Sequence, residues 1–499
     1  MGDDLGTDGV RLPRRTFLRY AVGAGAAAGA TAAITPANAA PAGPDWAALR
    51  TRQDSVVTAS DGARFSEATA VFNTRYDSTV PAAVVRPRTT GEVARAVSFA
   101  SRRRIPVSAR GGGHSYIGAS AADGALVIDM RSLSSPIAYD ETTQTVSVTP
   151  ATTLFDLQTF LHRSGRALPV GTCPTVGIGG LTLGGGIGVD TREHGVTCDR
   201  LVAATVVLPD GRIVSVSRQR HADLLWALRG GGGGSVGLVT SMTFRTHAAT
   251  GKDLVLLGFA EEETADVIAA WASWLPTVEP TAWVGVNVES DRAGGLRCGV
   301  LIAAPTGAGP DLAARFAAAV GVTPISTAAE TLDADGVLLR LAGGSPTTPR
   351  HGFTAGSDVV ATIPAATARA IVAVVRSRSA SGAAGSVIID PIDGAVGSVR
   401  PGASAFPWRR HLAIVQWFVD VAPGGSYESA TSWIADAHEA VRPASAGAYV
   451  NYVEPGDEPS RYFGANLPRL RATRAFYDPT RVVRSSTEAG TVSASPPGA

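Results

Sequence analysis

The chain has 499 residues, and of its 44 basic residues only Lys252 is a lysine. That scarcity excludes chemistry. A pyridoxal Schiff base or a phosphate-binding P-loop depends on a lysine. Lys252 follows Gly251, but Thr246 stands where the first P-loop glycine is required. Cysteine is equally sparse. Cys173, Cys198 and Cys298 do not make a disulfide framework, and no C-x-x-C or H-E-x-x-H spacing marks a metal site. Cys198 and Cys298 read as buried free thiols, with a pairing between them as the alternative. The formal net charge is +1, so no basic field draws the protein to nucleic acid or an anionic membrane. No apolar run is long enough to span a bilayer, so no membrane anchor is expected.

What is present is a globular composition with 45% hydrophobic residues, long enough for two or three cores. Residues 1–39 read as a targeting segment. Arg14-Arg15-Thr-Phe-Leu18 is a twin-arginine signal, an Ala/Gly stretch follows, and Ala37-Asn38-Ala39 is an A-x-A cleavage site. A partner in the twin-arginine export machinery and an extracytoplasmic location follow as expectations. That route carries folded proteins, which suits an enzyme that must load its cofactor first.

Residues 40–250 alternate short β-branched runs with helical patterns and predict an α+β domain. Ala82–Pro87 reads as a strand, Thr90–Ser101 as a helix capped by Thr89 or Thr90, and Ile105–Ala109 as a strand entering a glycine loop. Pro209-Asp210-Gly211 turns a hairpin between 201–208 and 212–217. Residues 251–425 read as a second domain, an antiparallel sheet covered by Ala-rich helices. Residues 426–484 carry a helix at Ala430–Val441, a strand over Ala448-Tyr-Val-Asn-Tyr452, and a closing helix at Leu467–Phe476. They are expected to complete the first domain. The Ser/Gly/Pro-rich tail 485–499 reads as disordered.

Two glycine-rich loops carry the chemistry. Arg110-Gly111-Gly112-Gly113-His114-Ser115 follows a strand, and Gly171-Thr-Cys173-Pro-Thr-Val176-Gly177 lies about 60 residues on. Glycines let backbone N–H groups converge on an anion. His and Cys are side chains able to bond covalently to a flavin ring. The pair points to FAD held by two links, through His114 and Cys173. The run Gly177–Gly188 does not match G-x-G-x-x-G, because Thr182 breaks the spacing.

These motifs, with Asp223–Phe244 and Ala448–Tyr452 in the same order, resemble the berberine-bridge-like branch of the vanillyl-alcohol-oxidase (PCMH-type) FAD enzymes, from about Phe72 to Val483. The resemblance implies a two-part FAD domain with the second domain as a roof over the flavin. It implies that Arg110, Gly111, Gly112, Gly113 and Ser115 serve the pyrophosphate. His114 would be bonded to the 8α-methyl and Cys173 to C6. Gly177, Gly180, Gly185 and Gly188 would wrap the ring and ribityl region, with Val239 from the third motif also at the cofactor. Val176 would be the oxygen gate, with valine favouring oxidase behaviour. Tyr449 and Asn451 form a Y-x-N element in which Tyr449 would be the general base, and Gln416 would face substrate from the roof. Two departures stand out. Leu181 occupies a position where many relatives carry histidine, and no second catalytic tyrosine is evident where Trp417 and Phe418 stand.

The expected activity is hydride removal from an alcohol carbon of a carbohydrate or a hydroxylated or glycosylated natural product, with O2 as acceptor. A dehydrogenase using another acceptor is the alternative. A different class is suggested by Gly233-Gly-Ser235-Val-Gly237, which matches the hydrolase elbow G-x-S-x-G. The elbow needs a strand before the serine and a helix after it, and the pattern here is the reverse.

Overall fold

The computed structural model describes Pro44–Thr487. The twin-arginine segment, its cleavage site and residues 488–499 lie outside the described residues.

The first lobe contains two main sheets and a small two-stranded one, Arg166–Ala167 with His247–Ala248. Ala83–Val85, Leu126–Asp129 and Val107–Arg110 run parallel, with Val56–Val57 antiparallel at the edge. The helix Thr90–Arg103 makes the crossover that a parallel pair requires. The Thr89 hydroxyl caps it by accepting from Glu92 N at 3.2 Å. Its Val93, Ala96, Val97 and Ala100 stripe is buried against the sheet. The second sheet is antiparallel, in the order 138–140, 145–148, 238–245, 201–207, 213–217. The α+β class expected from the sequence is what the structure shows.

The roof is an eight-stranded antiparallel sheet running from Ser326–Leu332 at one edge to Ser445–Gly447 at the other. One face is covered by Thr264–Trp274, Gly309–Val320, Ala365–Ala380 and Tyr427–Val441, which bury a single large core with it. The other face looks onto the glycine loops of the first lobe across a cavity.

Three boundaries differ from the sequence reading. The helix Tyr427–Val441 belongs to the roof, because its Ala430, Trp433, Ile434 and Ala437 stripe is buried in the roof core. Ser445–Gly447 then pairs as the sheet's edge strand, so the chain leaves the roof only at Ala448. Next, the strand expected over Ala448–Tyr452 is a 3₁₀ turn, with Tyr452 N donating to Tyr449 O at 2.9 Å. Finally, the start of the supposed tail is packed. Ser485 is buried, and Ser486 N donates to Gly233 O at 2.8 Å. Cys198 and Cys298 are buried free thiols. Among the described residues no helix is long and apolar enough to cross a membrane.

Candidate active site and cofactor cradle

The two glycine loops meet back to back. A Cβ on Gly112 would lie 2.3 Å from Gly177 N, and one on Gly177 would lie 2.4 Å from Gly112 N. Real side chains never approach backbone that closely, so glycine at both positions is a condition of the contact. Gly113 also holds a left-handed φ of 78°. The contact brings His114 and Cys173 to one wall. Thr175 Oγ1 lies 3.0 Å from His114 Nε2 and 3.9 Å from Cys173 Sγ. Burial, assisted by the charge of His351, lowers His114 to about 4. Its imidazole is therefore neutral at physiological pH, with a lone pair available for bonding. Phe72 stacks on it at 3.8 Å.

The cavity has a volume of about 640 Å³, within the range of roughly 300–1,000 Å³ usual for ligand sites. Gly111, Gly112, Gly113, Ser115, Val176, Gly177, Gly180, Gly188 and Val239 line it with His114 and Cys173. Two positions expected at the cofactor are elsewhere. The Arg110 guanidinium is not among the cavity-lining groups. It is fully buried, donates to the carbonyls of Ala68, Thr69 and Ser120, and lies 3.8 Å from Asp129. A buried cation needs such partners, so Arg110 clamps the loop instead of meeting an anion. Gly185 packs against the rings of Phe406 and Tyr449.

Sequence reasoning missed Arg484 at this cavity. Arg484 lines it, beside Gly233, Gly234 and Gly237, and among the described residues its guanidinium has no partner. Ser120 Oγ and Ser486 Oγ also line the cavity and are buried without hydrogen bonds. Buried polar atoms are rarely left unsatisfied. A diphosphate and ribose would satisfy these two hydroxyls. The C6 and 8α positions of flavin share one ring edge, matching the proximity of Cys173 and His114 through Thr175. The residues present therefore fit FAD.

Above this cradle the roof contributes Asp390 from the strand Ser386–Pro391 and Gln416 from Ala413–Val421. Ile388 sits opposite Gln416 in the register, so Gln416, Ile388 and Asp390 share one face. Gln416 Nε2 donates to the Tyr116 hydroxyl at 2.8 Å. Tyr116 stacks on Tyr452 at 5.1 Å. Asp390 has no hydrogen bond or ion pair among the described residues. It opens onto the cavity instead of bulk solvent, and this desolvation raises its carboxyl to about 7.

The 3₁₀ turn changes the reading of the tyrosines. In such a turn positions i and i+3 eclipse, so Tyr449 and Tyr452 point the same way, their rings 5.0 Å apart edge to face. The Tyr449 hydroxyl is a hub. It accepts from Gly186 N at 2.7 Å and from Asn451 Nδ2 at 2.8 Å. Asn451 Nδ2 also donates to Leu181 O at 3.0 Å. Burial pushes the Tyr449 phenol upward despite these donors. Those two donors tie the Tyr449 hydroxyl to Gly186 and Asn451, and Tyr449 and Asn451 both line the cavity. Tyr452 is half-buried and its hydroxyl has no partner among the described residues; desolvation, with the nearby Tyr116 and Asp390, holds its phenol well above the ordinary value. Asp390 is the cavity group poised to exchange a proton near neutrality. One sequence signal could have found it, an acid in the otherwise apolar strand Ser-Val-Ile-Ile-Asp-Pro. Ser235, by contrast, donates to the carbonyls of Gly231 and Gly232 and precedes a strand, which removes the hydrolase reading.

This combination of a two-sheet glycine-loop lobe and a helix-covered roof defines an FAD-dependent oxidoreductase of the PCMH type. The chain belongs to its berberine-bridge-like family and acts on CH–OH groups. The profile described as "FAD binding domain" matches residues 81–217, and "Berberine and berberine like" matches 448–487. The chitooligosaccharide oxidase of Gibberella zeae is 30% identical over 436 residues, covering 81% of this chain and 86% of the relative. The glucooligosaccharide oxidase of Sarocladium strictum is 43% identical over 180 residues, 36% of each chain. The solved structure of Physcomitrella patens BBE-like 1 superposes with a TM-score of 0.79 at 26% identity, covering 86% of this chain and 96% of that one.

Proposed function

We propose that the protein is an exported alcohol oxidase in which FAD is linked to both His114 and Cys173, and in which Asp390 and Tyr452 handle the substrate hydroxyl. The observation that carries this reading is that the unpaired Asp390 carboxyl and Tyr452 line the same cavity as His114 and Cys173. When bound, FAD supplies the hydride acceptor and passes the electron pair to O2, giving H2O2. Asp390 takes the hydroxyl proton while the carbinol C–H bond breaks as hydride and the C=O bond forms. The Tyr452 hydroxyl orients the substrate oxygen and relays its proton to Asp390. The Tyr116–Gln416 pair fixes the Tyr116 ring against Tyr452. Val176, on the cavity wall, controls the approach of O2. The twin-arginine segment delivers the loaded enzyme outside the cytoplasm. The donor is an alcohol carbon of either a carbohydrate or a hydroxylated or glycosylated natural product.

The test is the visible spectrum of the purified protein under anaerobic conditions with candidate donors, followed by air. Flavin bands that bleach with a donor and return with H2O2 are expected. Bands that bleach but return only with an artificial acceptor would replace oxidase by dehydrogenase. A colourless protein, or flavin released on acid denaturation, would overturn the two-link assignment.

A further inference from the structure

The walls of the cavity say more about the donor than its reacting centre does. On one side Phe353 and Phe418 stack at 5.3 Å on the roof face that also carries Gln416. Tyr116 meets Phe353 edge to face at 5.0 Å, and Phe72 lies beyond it. On the other side Trp283 and Leu301 project from neighbouring roof strands, with Leu341 next to them. Trp283 lies flat along the sheet because residue 285 is glycine. A Cβ there would lie 2.3 Å from the indole. All of these side chains line the same cavity as Asp390.

Polar groups are few on these walls. The polar groups in the middle of the lining are Asp390, Tyr452 and Gln416, and the Gln416 amide is already engaged with the Tyr116 hydroxyl. Away from them, the roof's contribution to the lining is mainly Thr348 and His351. A free sugar chain presents several hydroxyls per ring, and each one buried without a partner is penalised. A flat apolar ring system gains from the same walls through burial and ring stacking.

We propose that the donor is an alcohol carried on a flat aromatic skeleton, either directly or through a sugar, and not a free oligosaccharide. This rests on the alcohol-oxidase reading above. The aromatic part lies between the Phe353–Phe418 wall and Trp283, and its single reacting hydroxyl meets Asp390 and Tyr452.

The experiment is anaerobic flavin reduction of the holoenzyme by two sets of donors. The aromatic set is 2-naphthalenemethanol and 2-naphthyl β-D-glucoside. The sugar set is glucose, cellobiose and maltotriose. The expected result is at least about a tenfold higher kcat/KM for one aromatic donor than for any sugar. That advantage should shrink towards unity in Phe418→Ala and Trp283→Ala. Reduction by the naphthalenemethanol alone assigns the hydroxyl to the skeleton, and reduction by the glucoside alone assigns it to an attached sugar. Sugars that match or beat both aromatic donors overturn the inference and leave the oxidase reading standing. So does an aromatic advantage that persists undiminished in both variants. Bleaching by no donor of either set removes the oxidase reading and this inference together.

Discussion

Asp390 is the residue on which the pH behaviour turns. Its carboxyl is raised to about 7 by burial, and a base must be ionised to accept a proton. kcat/KM should therefore rise with pH through about 7. Asp390→Asn should lower kcat/KM by about 10²–10⁴ and abolish that limb in a pH–rate profile. A profile unchanged by the substitution would move the base elsewhere. The tyrosines should separate by readout. Tyr452→Phe should lower kcat with little change in melting temperature. Tyr449→Phe should chiefly lower the melting temperature, because it leaves Gly186 N–H buried without its acceptor, at about 1–3 kcal/mol. At the cofactor, His114→Ala and Cys173→Ala should each leave one link, so flavin stays with the denatured polypeptide. The double variant should release it, as mass spectrometry and acid precipitation would show. Val176→Ile should slow reoxidation by O2 roughly tenfold, a barrier of about 1.4 kcal/mol, without slowing anaerobic reduction in stopped-flow traces.

Single elements show what was legible from sequence and what was not. The helix at 90–103 was readable because its cap, its periodicity and its burial all agree. The same was true of the hairpin around Pro209-Asp210-Gly211 and of the glycine loops, whose sequence is dictated by their backbone contact. The turn at 449–452 was not readable. Its β-branched and aromatic residues favour a strand, and a strand would send Tyr449 and Tyr452 to opposite faces. Tertiary contacts decide otherwise, and they converge on one network. Tyr449 N donates to Ser357 Oγ at 3.0 Å, next to Asp358. Beyond the turn, Glu454 is held by His438 Nε2 at 2.9 Å and by Arg461. His438 Nδ1 meets Asp358 Oδ2 at 2.6 Å. These partners, from the roof strand and the segment after the turn, outweigh the burial of His438 and raise it to about 9. Its folded value lies above its unfolded one. Its contribution is thus fully present below about 6.5 and is lost as pH climbs through about 9. His438→Leu should cost about 3–5 kcal/mol, the usual price of breaking a buried ion pair. The wild-type advantage in melting temperature should be large at pH 6 and reduced at pH 9.5. An equal difference at both pH values would remove the charge from the argument.

For the whole molecule, the sequence reading ends the roof at residue 425, whereas the helix that follows packs in the roof core. The helix Tyr427–Val441 reads as amphipathic in either setting. Only the roof core, with Trp433 edge-on to Trp417 at 6.0 Å, shows which sheet it covers. The same limit applied to the cavity. His114 and Cys173 belong to local motifs, whereas Asp390 is marked only as a lone acid in an apolar strand, and Arg484 and Ser486 reach the cavity from a distant part of the chain with no local pattern around them.

The contact between Gly112 and Gly177 has a consequence for manufacture. The two attachment residues become neighbours only once both loops have closed on each other, and a half-formed chain offers them separately. If both links form as proposed, double attachment is a certificate that this closure took place. Export through a route that accepts folded cargo would then ship yellow molecules and leave colourless ones behind. The ratio of visible to ultraviolet absorbance in the exported fraction, compared with that in the cytoplasm, would measure how strictly that inspection is made.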